Sequence, residues 1–121
     1  MLVVVHDEFR DDAVVVRIKG EVDMPVVDEF NSHLRQGMNT ASTDPVRPLI
    51  IDLRDVDFFG SAGLNAVLRC FNDGLANGVA VRLVATNPIV VRVFELTMLD
   101  KALVLYPSLG EALQARDPEA P

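Results

Sequence analysis

A chain of 121 residues, 50% apolar and 24% charged, is sized for one domain around one core, and this balance excludes intrinsic disorder. Eighteen acids against eleven bases leave a net charge of −7, which disfavours nonspecific binding to nucleic acid or to an anionic membrane. The one cysteine, Cys70, excludes an internal disulfide framework and suits a reducing cytosol.

No stretch has the flanks of a secretory signal or the apolar length of a membrane span. The expectation is a soluble, cytoplasmic domain over residues 1–116, with a frayed tail over 117–121.

Leu2 to Val5 open a β-rich run that ends in His6-Asp7-Glu8-Phe9, and Arg10-Asp11-Asp12 reads as a turn. Ala13 to Lys19 is rich in β-branched residues, so 2–9 and 13–19 pair as a hairpin that Gly20 closes. Asp23 is a good N-cap, with Pro25 tolerated in the first turn, and Val26, Val27, Phe30, Leu34 and Met38 recur at helical spacing over 24–38. Asn39 to Pro48, with two prolines among small polar residues, is the clearest loop.

Leu49 to Leu53 is a continuous apolar run interrupted only by Asp52, the mark of a strand covered on both faces. After an acidic, aromatic turn a helix over about 62–76 sets Leu64, Val67, Leu68, Phe71 and Leu75 on one stripe, with Asn65, Arg69, Asn72 and Asp73 opposite. Asn77-Gly78 stops it. Val79 to Ala85 is a strand, Asn87-Pro88 is a cap with an N1 proline, and a short helix runs to about Leu96. Ala102 to Tyr106 is a last strand, and Ser108 caps a helix over 109–116. The order β-β-α-β-α-β-α-β-α predicts an α/β fold, a mixed and mostly parallel sheet of about five strands with about four helices.

Leu49 to Leu64 is the segment with functional promise. It leads from a buried strand through Gly60-Ser61-Ala62-Gly63 into an amphipathic helix, and so presents Ser61 at a helix N-terminus on the carboxyl side of the sheet. Ligands and partners of open α/β sheets dock at that edge. The simplest role for Ser61 is an ordinary N-cap. Gly60 and Gly63 give the backbone room to turn. Of the consecutive rings Phe58 and Phe59 one packs inward and the other is more exposed, a natural interface anchor; Phe59 is assigned to the partner surface.

Catalytic equipment is missing around Ser61. A nucleophile elbow needs Gly-x-Ser-x-Gly, and position 59 is Phe. His6 and His33 read as surface residues, Cys70 as a small core residue without a second thiol for a metal, and no phosphate-binding glycine motif occurs. Neither a metal nor a cofactor is expected, and an enzyme, a small hydrolase or phosphotransferase using Ser61, is the remote rival.

Three segments in register carry a family likeness. Gly20-Glu21-Val22-Asp23, Asp52-Leu53 through Val56 and Phe58 to Ser61-Ala62-Gly63-Leu64, and Asn87-Pro88 through Val93-Phe94-Glu95-Leu96 to Leu99-Asp100 resemble the STAS-domain family, specifically the bacterial anti-sigma-factor antagonists. The resemblance implies a noncatalytic switch. The antagonist binds an anti-sigma factor that is also a serine-protein kinase, and so frees a sigma factor for transcription. The kinase phosphorylates the serine opening the second helix, and a phosphatase resets it.

Carried over, Ser61 is the phosphorylated residue, and Asp23, Phe59, Gly60, Ser61, Ala62, Gly63 and Asn65 form the partner surface of a monomer or weak dimer. Three departures stand out: Gly60 where the family commonly has Asp, Ala62 where it has Ser or Thr, and Met98 in place of a glycine. The first two motivate the alternative reading, a constitutive STAS scaffold in a transport or sensory complex without phosphoswitching.

Overall fold

The computed structural model describes residues 4–10, 12–43, 45–97 and 103–115. Five strands and four helices follow in chain order: β1 (Val4–Phe9), β2 (Val14–Val22), a 3₁₀ turn (Met24–Val26), α1 (Val27–Ala41), β3 (Leu49–Phe59), α2 (Ser61–Asn77), β4 (Val81–Val84), α3 (Pro88–Leu96), β5 (Leu105–Tyr106) and α4 (Leu109–Gln114). The strands lie in sequence order in one sheet; β1 runs antiparallel to β2, and all other pairs are parallel. The expected α/β fold and element order hold. The expected roles of Met98, Leu99 and Asp100 and of the tail lie outside the described residues.

Alternation along the strands divides the core. Val14, Val16, Ile18, Leu49, Ile51 and Leu83 face one way, where they meet Phe30, Leu34 and Met38 of α1, Leu64, Val67 and Cys70 of α2, and Val90 and Phe94 of α3. Val15, Ile50 and Val84 face the other way and are covered by α4 through Ala112. Arg82, 7% exposed, ties that cover down by donating from Nη1 to the Ala112 carbonyl at 3.0 Å. The two larger helices sit hard on the sheet. A Cβ at Gly37 would lie 2.9 Å from Val16 Cγ2, and one at Gly74 2.6 Å from the Val79 carbonyl oxygen.

Several boundaries differ from expectation, each for a physical reason. Gly20 does not end β2; at φ 103° it accommodates an irregularity in the β2–β3 ladder, and the strand continues to Val22. Helix α1 runs three residues beyond the expected end, because Thr40 Oγ1 returns to the Gln36 carbonyl and Arg47 donates to the Ala41 and Thr40 carbonyls that the helix end leaves open. Leu75 is exposed, and the buried stripe of α2 runs instead through Gly63, Val67, Cys70 and Gly74. Strands β4 and β5 are shorter than the apolar runs that contain them.

The largest difference is β3. The expected turn over 54–59 is strand, paired with β2 from Lys19↔Asp55 to Val22↔Phe59, whereas pairing with β4 stops at Asp52↔Val84. Between two neighbours β3 reads as a buried apolar run; as a projecting ribbon it alternates with charge, and so resembles a turn. Asn87 takes over where β4 ends. Its Nδ2 donates to the Val56 carbonyl at 3.2 Å, and its Oδ1 caps α3 by accepting from Ile89 N at 3.0 Å. On the opposite sheet face Asp52, fully buried, accepts Arg54 Nε and Nη2 at 3.0 and 2.8 Å and the Arg54 amide at 3.1 Å. That hydrogen bond raises the Arg54 guanidinium above its ordinary pKa, and the buried carboxylate is paired as its desolvation requires.

Because Asn87 satisfies both a strand carbonyl and a helix N-terminus, Asn87→Ala is expected to cost about 1–2 kcal/mol, read as a lower urea midpoint at unchanged slope.

Candidate functional site

The projecting β2–β3 ribbon ends at the step into α2, and most of the residues expected at the site lie at or beside that step. Phe59, the last residue of β3, is 2% exposed. Its ring meets Phe30 of α1 edge-on at 6.3 Å between centroids and stacks on Phe94 of α3 at 5.6 Å. The Gly60 amide donates to the Val22 carbonyl at 2.9 Å, the last rung of the ribbon, and the Gly60 carbonyl accepts from Leu64 N at 3.1 Å, the first bond of α2.

Gly60 is therefore the N-cap, and Ser61 is the first helical residue, not the cap that serine alone suggests. Glycine brings no capping oxygen, so the first turn of α2 has no side-chain acceptor. Ser61 is exposed and makes no side-chain hydrogen bond among the described residues. His33 lies elsewhere, with Nδ1 3.4 Å from Asp7 Oδ2 between α1 and β1.

Asp23 is in place beside this step, by a different contact from the expected one. It stands at the N-cap position of the 3₁₀ turn without a side-chain cap bond; its carbonyl accepts from Val26 N at 3.0 Å. The carboxylate lies against Gly60 instead. A Cβ on residue 60 would be 2.5 Å from Asp23 Oδ1 and 3.3 Å from Phe58 Cε2. The acid at 23 thus fills the space that a side chain at 60 would need. Gly63 is likewise a packing residue: a Cβ there would fall 2.8 Å from Val22 Cγ1 and 3.0 Å from Phe59 Cε1.

The predicted surface set therefore divides. Asp23, Gly60, Ser61 and Ala62 are brought together, and Asn65 is exposed one turn further along α2. Phe59 and Gly63 are buried beneath them. The exposed ring is Phe58, 44% accessible, and the bordering segments add Met24 at 72% and Ile89 at 56%. Exposed large apolar side chains of this kind can act as anchors for a protein partner. The assignment of Phe59 missed because inward residues of β3 fall at Leu53, Val56 and Phe59, a spacing of three that the ladder irregularities impose. Strict alternation from Leu53 also points Phe59 inward, but Val56 breaks that rule.

Cys70 is closed to chemistry. Burial, with Asp73 nearby, pushes its thiol up to about 12, and only the thiolate is a nucleophile. Among the described residues no group of three or more His, Cys, Asp or Glu could hold a metal ion, and no helix is long and apolar enough to cross a membrane.

The fold is a small α/β domain that presents an exposed serine where a strand passes into a helix, with exposed apolar side chains on the bordering segments. The STAS domain model matches residues 5–112, and the chain belongs to the STAS-domain family. The anti-sigma-F factor antagonist RsfA of Mycobacterium tuberculosis is 28% identical over 111 residues, 89% of this chain and 83% of that protein. The crystal structure of an anti-sigma factor antagonist from Mycobacterium paratuberculosis superposes with a TM-score of 0.78 at 32% identity, covering 93% of this chain and 92% of that one. The Bacillus cell fate determinant SpoIIAA, solved in its phosphorylated form, shares the fold with a TM-score of 0.68 at 21% identity, over 91% of this chain and 96% of that one.

Two outcomes follow from this packing. Gly60→Ala is expected to turn the Asp23 carboxylate aside and cost about 1 kcal/mol or less, whereas the double variant Gly60→Ala/Asp23→Ala recovers the part of that loss due to the clash in a double-mutant cycle. At pH 8 the folded chain should alkylate at Cys70 with iodoacetamide on the order of a thousandfold more slowly than the unfolded chain, followed by mass spectrometry.

Proposed function

We propose that this domain is an anti-sigma-factor antagonist, a noncatalytic module that binds an anti-sigma factor with serine-protein kinase activity and thereby frees a sigma factor. Phosphorylation of Ser61 by that kinase ends the contact, and a phosphatase restores it. The observation that carries the reading is an exposed Ser61 at the uncapped start of α2, with the Asp23 carboxylate packed on the preceding residue.

A phosphoryl group there adds nearly two negative charges. The open amides and dipole of the first turn accommodate that charge, so the fold persists. A partner surface fitted to a neutral hydroxyl meets repulsion and lost solvation instead, and the nearby Asp23 carboxylate deepens the negative field. A loss of about 3 kcal/mol weakens binding roughly a hundredfold. The rim of Met24, Phe58 and Ile89 supplies the apolar contact. The likeness to RsfA and to the Mycobacterium paratuberculosis antagonist supports the same partner class. As a hydrolase or phosphotransferase, Ser61 would need an activating hydrogen bond, and its side chain makes none among the described residues.

Gly60 and Ala62 favour the second reading, a constitutive STAS scaffold in a transport or sensory complex. The neighbouring Asp23 carboxylate weakens that case, since an acid stands beside the serine even though residue 60 has none. Incubation with the host's anti-sigma kinase and ATP, followed by phosphosite mapping, is expected to yield one phosphate, at Ser61. Ser61→Ala should bind the kinase as the wild type does, and Ser61→Asp about a hundredfold more weakly. Equal binding by the two variants, with no phosphate at Ser61, would hand the function to the scaffold.

A further inference from the structure

On the helical face of the sheet α1 and α2 lie side by side with an open groove of about 250 Å³ between them. Its floor is apolar and buried, made by Leu34 and Met38 of α1 and Ala66 and Cys70 of α2. Its rim carries two exposed guanidinium groups, Arg35 from α1 and Arg69 from α2.

Most arginines of this acidic chain are committed to neighbours. Arg10 pairs with Glu8 and Asp12, Arg17 with Asp55, Arg54 with Asp52, and Arg47 donates to the Arg10 and Thr40 carbonyls. Arg35 and Arg69 make no ion pair or side-chain hydrogen bond among the described residues. Asp73 stands on the same rim, so two positive charges and one negative leave the groove at +1 in a chain whose net charge is −7. A basic, apolar-floored slot on an acidic domain is complementary to an acidic peptide segment with an apolar side chain.

We propose that this groove is a second docking site for the protein partner, taking an acidic segment whose carboxylates meet Arg35 and Arg69 while an apolar side chain rests on Leu34, Met38, Ala66 and Cys70. The identity of the partner rests on the function proposed above; the chemistry of the groove does not. Ser61, Asn65, Arg69 and Asn72 succeed one another on the exposed side of α2, and Arg69 lies about 12 Å along the axis from Ser61 at 1.5 Å per residue. One partner surface running along α2 reaches both places. Each guanidinium offers a planar fork that takes a carboxylate by two parallel hydrogen bonds. Exposed pairs are individually weak, so the apolar floor and the second arginine are both needed.

The test is an ¹⁵N–¹H NMR titration of the full chain with a synthetic peptide carrying a leucine flanked by glutamates, its lysine counterpart, and sodium acetate. Amides lining the groove on α1 and α2 should shift with the glutamate peptide alone, and the affinity should fall about tenfold at 0.5 M salt, where screening is strong. Arg35→Glu/Arg69→Glu should abolish the shifts, while Arg92→Glu on α3, another exposed arginine, leaves them unchanged. Shifts elsewhere, equal shifts with the lysine peptide, an acetate response as large as the peptide's, or no shifts would each overturn the site. The host's kinase supplies the second arm: the double variant should bind it about tenfold more weakly, and unchanged binding would overturn the docking role. Since the titration uses neither Ser61 nor the kinase, a failed groove leaves the phosphoswitch standing. Equally, a kinase that ignores Ser61 leaves the peptide site standing.

Discussion

The ring of Phe59, held edge-on by Phe30 and stacked on Phe94, fixes the point at which β3 stops and α2 starts. Without that wedge the β2–β3 ribbon beyond β4 would be two strands with little to rest on, and isolated ribbons of that kind are marginal in water. With it, the ribbon is clamped between α1 and α3, and the next residues have one course open to them. Gly60 takes the last rung of the ladder and the first bond of the helix in consecutive peptide groups. The serine that follows is exposed, and its side chain makes no hydrogen bond among the described residues. Its presentation is a property of the core more than of the loop.

The sheet face opposite shows a different economy of polar groups. Asp52 and Arg82 are buried within or beside the strands, yet each meets a specific partner, Arg54 for the carboxylate and the Ala112 carbonyl for the guanidinium. Charges inside a fold are tolerated on those terms. Arg35 and Arg69, by contrast, are exposed at the α1–α2 groove and make no ion pair or side-chain hydrogen bond among the described residues.

Much of this was legible in the residues. Runs of β-branched and apolar side chains, the Asn87-Pro88 cap and the Asn77-Gly78 stop marked elements that the structure contains. What sequence reasoning mistook came from tertiary pairing. The stretch 54–59 alternates with acids because β3 has lost one neighbour, and nothing local distinguishes that from a turn. Gly20 looked like a terminator and is a passage through the left-handed region inside a strand. The expected site residues lie close together, but their division into exposed and buried members was hidden. Gly63 and Phe59 are required by contacts with Val22, Phe30 and Phe94, which come from distant parts of the chain. The lodging of Asp23 against Gly60 joins positions 37 apart in sequence, which no spacing rule reaches.

The glycines that seat α1 and α2 have a consequence for timing. With Gly37 against Val16 and Gly74 against the Val79 carbonyl, neither helix has slack in which to slide or tilt, and close-packed interfaces of this kind do not deform gradually. A partner therefore meets a surface that is already shaped, and little ordering cost is charged to the encounter. A domain so stiff is poorly suited to signalling by changing its shape. In the proposed switch, a charge added at Ser61 would then be read at the surface itself, over helices packed this closely on the sheet.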